Sequence, residues 1–224
     1  MTPLIVYADM VTPIGNAPPH LDALLLAEAC RRSAVATITA ADPPGEWSAL
    51  PAIPLDRREI AGIEVSLCSS PQIMAAHGRE MVECFAKRID PTAAAMLLPT
   101  DQRAQICTTG TWTKSYYLPL RRLAATGVAW WAVGDAVEMR ELLAGVISIG
   151  KKISQGHGRV KRWIIEPCDL DLSWFCGSQL MQLMRPLPWG DWLPADLAGY
   201  RRSFGSCVPP YWHPARFMEI VVPC

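Results

Sequence analysis

The chain of 224 residues carries 21 Lys+Arg against 21 Asp+Glu; half of its residues are hydrophobic and 19% are charged. That balance excludes a disordered polar chain, which needs low hydrophobicity and high net charge, and it removes bulk basicity as a sign of a polyanion partner. Twenty Pro and fifteen Gly argue for a turn-rich α+β or α/β chain and against a helical bundle.

Leu4–Val11 is an apolar, branched run closed by Thr12-Pro13 and reads as a buried strand. Ile14–Pro19 is a turn-rich loop. The spacing of Leu21, Leu24, Leu25 and Ala29 predicts a helix over 20–32, with Arg31 and Arg32 where the helix dipole favours cations. Asp42–Pro54, broken by four prolines, is a loop. Glu59–Leu67 alternates and reads as one strand with a bulge near Gly62. Glu80–Ile89 fits a strand or an amphipathic helix, and Ala93–Leu98 and Gln105–Thr109 are ambiguous. Thr108–Tyr117 looks like an exposed loop or the start of a strand around Lys114.

Val128–Val133 is a strand closed by Gly134. Asp135 is placed to cap a helix over 136–144, with Val137, Leu142 and Leu143 toward the core. Val146–Ile149 runs into a glycine-rich turn, Gly150–Arg159. Arg159–Glu166 follows as a strand, in which alternation puts Arg159 with Lys161 on one face and Val160 with Arg162 on the other. The last forty residues hold Trp189, Trp192 and Trp212, show little periodicity, and read as packed loops ending in a short strand at Phe217–Val222.

No apolar run approaches the roughly 20 residues of a membrane span, and the start lacks the basic leader and apolar stretch of a signal peptide. A cytoplasmic location is expected, with the cysteines reduced. The eight cysteines (30, 68, 84, 107, 168, 176, 207 and 224) form no Cys-x-x-Cys pair. They read as buried hydrophobes and incidental thiols, so neither a metal site nor a cofactor is expected.

The neutral total hides a pattern. Residues 1–100 have a net charge of −4, residues 101–162 of +6 and residues 163–224 of −2. A basic middle between acidic flanks suggests one face for a polyanion. Its centre is the turn. Gly150, Gly156 and Gly158 allow positive φ and close backbone approach. Lys151 and Lys152 enter it, Arg159, Lys161 and Arg162 leave it, and Ser154, Gln155 and His157 add neutral donors. Cations beside exposed N–H groups suit a phosphodiester backbone. The run Gly145–Lys152 approaches the nucleotide-binding pattern Gly-x4-Gly-Lys-[Ser/Thr]. However, Lys152 stands at the hydroxyl position and a helix rather than a strand precedes it, so ATP or GTP binding is not expected.

Four segments together carry a family resemblance: His20-Leu-Asp-Ala-Leu-Leu-Leu-Ala; Gly110-Thr-Trp-Thr-Lys-Ser-Tyr-Tyr; Val133-Gly-Asp followed by Glu141-Leu-Leu; and Gly150-Lys-Lys-Ile-Ser-Gln-Gly-His-Gly-Arg-Val. Over most of residues 1–166 the chain resembles the RAMP superfamily of CRISPR-associated proteins, and most closely the type IV subunit equivalent to the fifth Cas family. The Pro/Trp-rich tail adds nothing to the likeness.

The resemblance implies a single RAMP-like domain over 1–224. Its core at 1–166 would be a ferredoxin-like (RRM-type) α+β antiparallel sheet with helices on one face and a glycine-rich loop, and 167–224 an irregular C-terminal extension. It implies a crRNA-binding subunit of a type IV RNA-guided effector complex. Such a subunit caps the 5′ handle, helps position target DNA, and meets backbone, large-subunit-like and crRNA-processing subunits in defence against mobile elements.

The RNA-binding residues implied are Lys114, Tyr116, Arg121, Arg122, Lys151, Lys152, Ser154, Gln155, His157 and Arg159. The cations would neutralise phosphates and Tyr116 would stack on a base. The alternative is a metal-independent endoribonuclease that processes precursor crRNA, with His157 as base and Lys151 and Lys152 as charge stabilisers. A histidine in a glycine turn is more often a hydrogen-bond donor, and processing is expected of a separate subunit. The expectation is therefore a non-catalytic binder with no catalytic residues.

Overall fold

A computed structural model describes residues 2–33, 50–74, 80–87, 115–177 and 181–224, with positions 90, 92 and 96. The chain is a sheet-rich α+β structure. Its principal sheet comprises β1 (Thr2–Met10), β5 (Gln72–Met74), β8 (Gly127–Gly134) and β9 (Val160–Pro167), in the spatial order β5-β8-β1-β9, with every neighbouring pair antiparallel. Helix α1 (Leu21–Arg32) lies between β1 and β5 in sequence, and α2 (Ala136–Leu143) between β8 and β9.

Period-two alternation builds this sheet. Leu4, Val6, Ala8 and Met10 are buried on one face of β1, beside Val128, Trp130 and Ala132 of β8. Leu21, Leu25 and Ala29 of α1 and Met139 and Leu143 of α2 cover that same face. Both helices therefore lie on one side. Asp135 caps α2: its Oδ1 accepts from the amides of Val137 at 2.8 Å and Glu138 at 3.0 Å. At the end of α1 the Glu28 carboxylate holds Arg31 at 2.7 Å and Arg32 at 2.9 Å, and the two guanidiniums hold its pKa down at about 2. Arg32 also donates to the carbonyl of Leu142, at 3.3 Å, on α2.

The reverse face carries a second core. Val133 of β8 meets the hairpin β3 (Arg57–Ile60) and β4 (Ile63–Ser66) through Ile60 and Val65. The C-terminal segment completes it with Trp174, Leu183, Leu187, Leu197, Cys207, Val208, Ile220 and Val221. This segment contains β10 (Phe175–Cys176), β11 (Met181–Leu183), β12 (Leu187–Pro188), β13 (Leu197–Ala198), β14 (Tyr200–Gly205) and β15 (Met218–Pro223). They form two three-stranded sheets, β10-β11-β13 and β12-β15-β14. A third small sheet has the order β2-β7-β6, with β2 (Ile14–Gly15), β6 (Glu80–Lys87) and β7 (Tyr116–Leu123).

Several elements differ from the sequence reading. Glu59–Leu67 is a hairpin rather than one bulged strand, because Ala61 (φ 50°) and Gly62 (φ 74°) both adopt the left-handed conformation of a two-residue turn. Glu80–Lys87 settles as strand. Val137 is 61% exposed, and the i, i+4 pair Met139 and Leu143 supplies the buried stripe of α2. The pairing of β9 with β1 shifts register between Asp9 and Met10 of β1, where Arg162 and Val160 are the partners and Lys161 is left over, so the alternation of residues 159–162 breaks. Lys161 and Arg162 both reach Asp9, at 3.8 and 3.2 Å. The tail is not loops with one strand, since its scattered aromatics and leucines line a core of their own. Residues 93–95, 97–98, 105–109 and Lys114 lie outside the described residues.

Candidate nucleic-acid interface

The glycine-rich turn is set by its backbone. After α2 the chain reaches Ile149, turns through a short 3-10 helix at Ile153–Gln155, and enters β9. It docks on the loop that leaves β1. The Lys151 amide donates to the Gly15 carbonyl at 2.8 Å, and the Gly158 amide to the Pro13 carbonyl at 2.9 Å. The Thr12 hydroxyl donates to the Gly156 carbonyl at 2.8 Å and accepts from the Arg159 amide at 2.9 Å. Gly158 is required by space as well as by its φ of 65°, since a Cβ there would collide with the Ile149 carbonyl oxygen. Lys152 adopts the left-handed conformation (φ 61°, ψ 35°) although it carries a side chain.

The turn sits against the β6–β7 hairpin. Gly15 pairs with Arg122 on one side and bridges to Lys151 on the other, so Lys151 and Arg122 are two strand spacings apart, roughly 10 Å between backbones. The Lys152 ammonium lies 5.3 Å from the centroid of the Phe85 ring. His157 is 7% exposed, meets Phe85 edge-on at 5.8 Å, and has Nε2 3.5 Å from Oε2 of Glu83. The Arg122 Nε is 3.1 Å from that same oxygen. One carboxylate thus joins a strand arginine to the turn histidine.

The expected RNA-binding residues divide into groups. Lys151, Ser154, Gln155 and Arg159 are exposed on the turn, and Lys152 is half-buried against Phe85. Arg122 and His157 are gathered by Glu83. Arg121 pairs across the hairpin with Val82, on the opposite face from Arg122, and its Nε is 3.3 Å from Glu80. Tyr116 begins β7, five residues and about 17 Å of strand from Arg121. Lys151, Lys152 and Arg159 have no carboxylate within 4.0 Å among the described residues. Phe85 and Glu83 were not singled out from the sequence, where the alternation of 80–87 left their face unassigned.

The order helix, turn, strand also separates this turn from a nucleotide-binding loop, in which a strand leads into a helix. What the fold and the turn define is a sheet-rich α+β protein whose glycine turn presents Lys151, Lys152 and Arg159 without acidic partners among the described residues. The model of the family described as CRISPR type IV associated protein Csf3 matches residues 2–223, and the chain belongs to that family. It is a type IV CRISPR-associated subunit, a class whose members work beside other effector-complex subunits. The match includes the tail that the sequence left undiagnostic. No curated protein matches the chain. Among the described residues no helix is long and apolar enough to cross a membrane.

Proposed function

We propose that the chain is the crRNA-binding structural subunit of a cytoplasmic type IV effector complex, where it caps the 5′ handle and helps position target DNA. The observation that carries this reading is the cationic turn. The turn that carries Lys151, Lys152 and Arg159 is anchored by its backbone amides, Lys151 donating to the Gly15 carbonyl, Gly158 to the Pro13 carbonyl and Arg159 to the Thr12 hydroxyl, and the three cations face no carboxylate within 4.0 Å among the described residues. A phosphodiester chain supplies the missing negative charge. Connectivity supports the accompanying fold. The principal sheet runs strand, helix, strand, strand, helix, strand, with the first strand between the third and fourth, an order consistent with the ferredoxin-like, RRM-type domain of this reading. In this reading the whole chain is one RAMP-like unit, with 167–224 as its extension.

The subunit is a binder rather than an endoribonuclease in this reading. His157 is buried, and its Nε2 faces Glu83, which suits a ring that supports the turn better than a base open to a 2′-OH.

The test is binding of repeat-derived RNA across a salt series. The Lys151→Ala/Lys152→Ala double variant should bind more weakly and lower the slope of log K against log salt by about two, with an unchanged melting curve. Unaltered affinity and slope would overturn the reading. Cleavage of the same RNA in chelator, abolished by His157→Ala, would establish the enzyme instead.

A further inference from the structure

A second surface lies in the C-terminal sheet, among residues the cationic turn does not use. Arg202 and Phe204 are two apart on β14, so they share a face. Phe204 pairs with Glu219 on β15, and the Trp189 amide bonds to the Glu219 carbonyl at 3.0 Å. The Arg202 guanidinium lies over the Trp189 indole, 3.3 Å from the ring centroid. Trp189 in turn packs beside Tyr200, with centroids 6.4 Å apart. Phe204 meets Phe217 edge-on at 6.2 Å. Although they are large and apolar, Phe204 is 69% exposed and Phe217 43%.

These features suit one ligand chemistry. An indole-backed guanidinium presents a flat, charged plate, and Phe204 presents a second flat surface about 6.7 Å along the strand. Two plates at that spacing can each take one unstacked base. Arg202 is exposed and no carboxylate lies within 4.0 Å of it among the described residues, so its charge is open to a phosphate. Glu219, exposed beside Phe204, is an acceptor suited to an exocyclic base amine. A purely apolar protein partner would leave Arg202 without counter-charge. Unpaired bases are the ordinary state of RNA loops and ends, whereas DNA must first be opened.

We infer that this face of β14 and β15 is a base-stacking platform for unpaired RNA, separate from the cationic turn. The test uses the full chain and a short unstructured RNA carrying a single 2-aminopurine, whose fluorescence is quenched when it stacks. The intact protein should quench it. Phe204→Ala, which removes an exposed ring, should weaken binding about 5- to 150-fold and abolish the quenching. Phe204→Tyr should preserve it. The Lys151→Ala/Lys152→Ala variant should still quench at saturating protein. Unchanged quenching in both Phe204→Ala and Arg202→Ala would overturn the inference. So would tighter binding of a DNA strand of the same sequence, or a concentration-dependent dimer in sedimentation that Phe204→Ala dissolves, which would make the face a protein contact.

Discussion

Asp22 and Arg185 are 163 positions apart in the chain and meet in the interior, with Oδ2 of one 3.2 Å from a guanidinium nitrogen of the other and both side chains fully buried. The Tyr211 hydroxyl completes the contact. It donates to the Asp22 carboxylate at 2.8 Å and accepts from Arg185 at 2.9 Å. Arg185 also donates to the carbonyls of Ser66, Cys68 and Cys207. One residue thus joins α1, the segment after β4 and the tail.

Removing one partner of such a pair leaves the other charged and unsolvated. Asp22→Ala should lower unfolding free energy by about 3–5 kcal/mol, read from urea denaturation. A loss under about 1 kcal/mol would mean that Arg185 is held by its carbonyl partners alone.

His20 stacks on Tyr211, with centroids 4.6 Å apart. Burial pulls its pKa down to about 4, and Arg185 adds to the shift while Asp22 opposes it. The folded protein therefore favours neutral His20, and between pH 6.5 and 4 the unfolded chain binds the extra proton. This contribution is complete above about pH 6.5 and is lost as pH falls toward about 4, roughly 3 kcal/mol in all. His20→Gln should flatten the stability profile across that window. An equal slope in wild type and variant would show that other groups govern it.

Cys68 and Cys207 are buried, and burial pushes their thiols up to about 12 and about 11. Thiolate is the reactive form. In the folded protein at neutral pH, iodoacetamide followed by mass spectrometry should label exposed Cys84 and Cys224 first and leave Cys68 and Cys207 unmodified until denaturant is added. Labelling of Cys68 at the rate of Cys224 would contradict its enclosure.

The glycines of the turn are unequal. Gly156 has φ 87° and open space within 4 Å of where a methyl group would project, whereas a Cβ at Gly158 would collide with Ile149. Gly156→Ala should cost about 1–2 kcal/mol from its backbone angle. Gly158→Ala should cost roughly 3 kcal/mol or more and, under the proposed function, weaken RNA binding as well. Thermal melts of the two variants decide the matter, and similar losses would mean that the turn relaxes around the new methyl.

Local pattern revealed what local pattern controls. The alternation of Leu4, Val6 and Ala8, the i, i+4 spacing of Leu21 and Leu25, and the Asp135 cap are short-range signals, and each appears in the fold. The glycine turn was visible for the same reason. The β3–β4 hairpin was missed because Ala61 at φ 50° carries no turn signature. The bulge that turns both Lys161 and Arg162 toward Asp9 depends on a register set across strands. The face of Arg121 follows only from its pairing with Val82. Arg185 and the Arg202–Trp189 plate had no local signal at all, since their partners come from distant segments.

The buried arginine also orders events during synthesis. Asp22 leaves the ribosome well before the two side chains that satisfy it, at 185 and 211. Until then the carboxylate keeps its water, and the first helix cannot settle with that side inward. Nascent chains stalled before residue 185 should remain open to protease near α1, while the released protein should resist it.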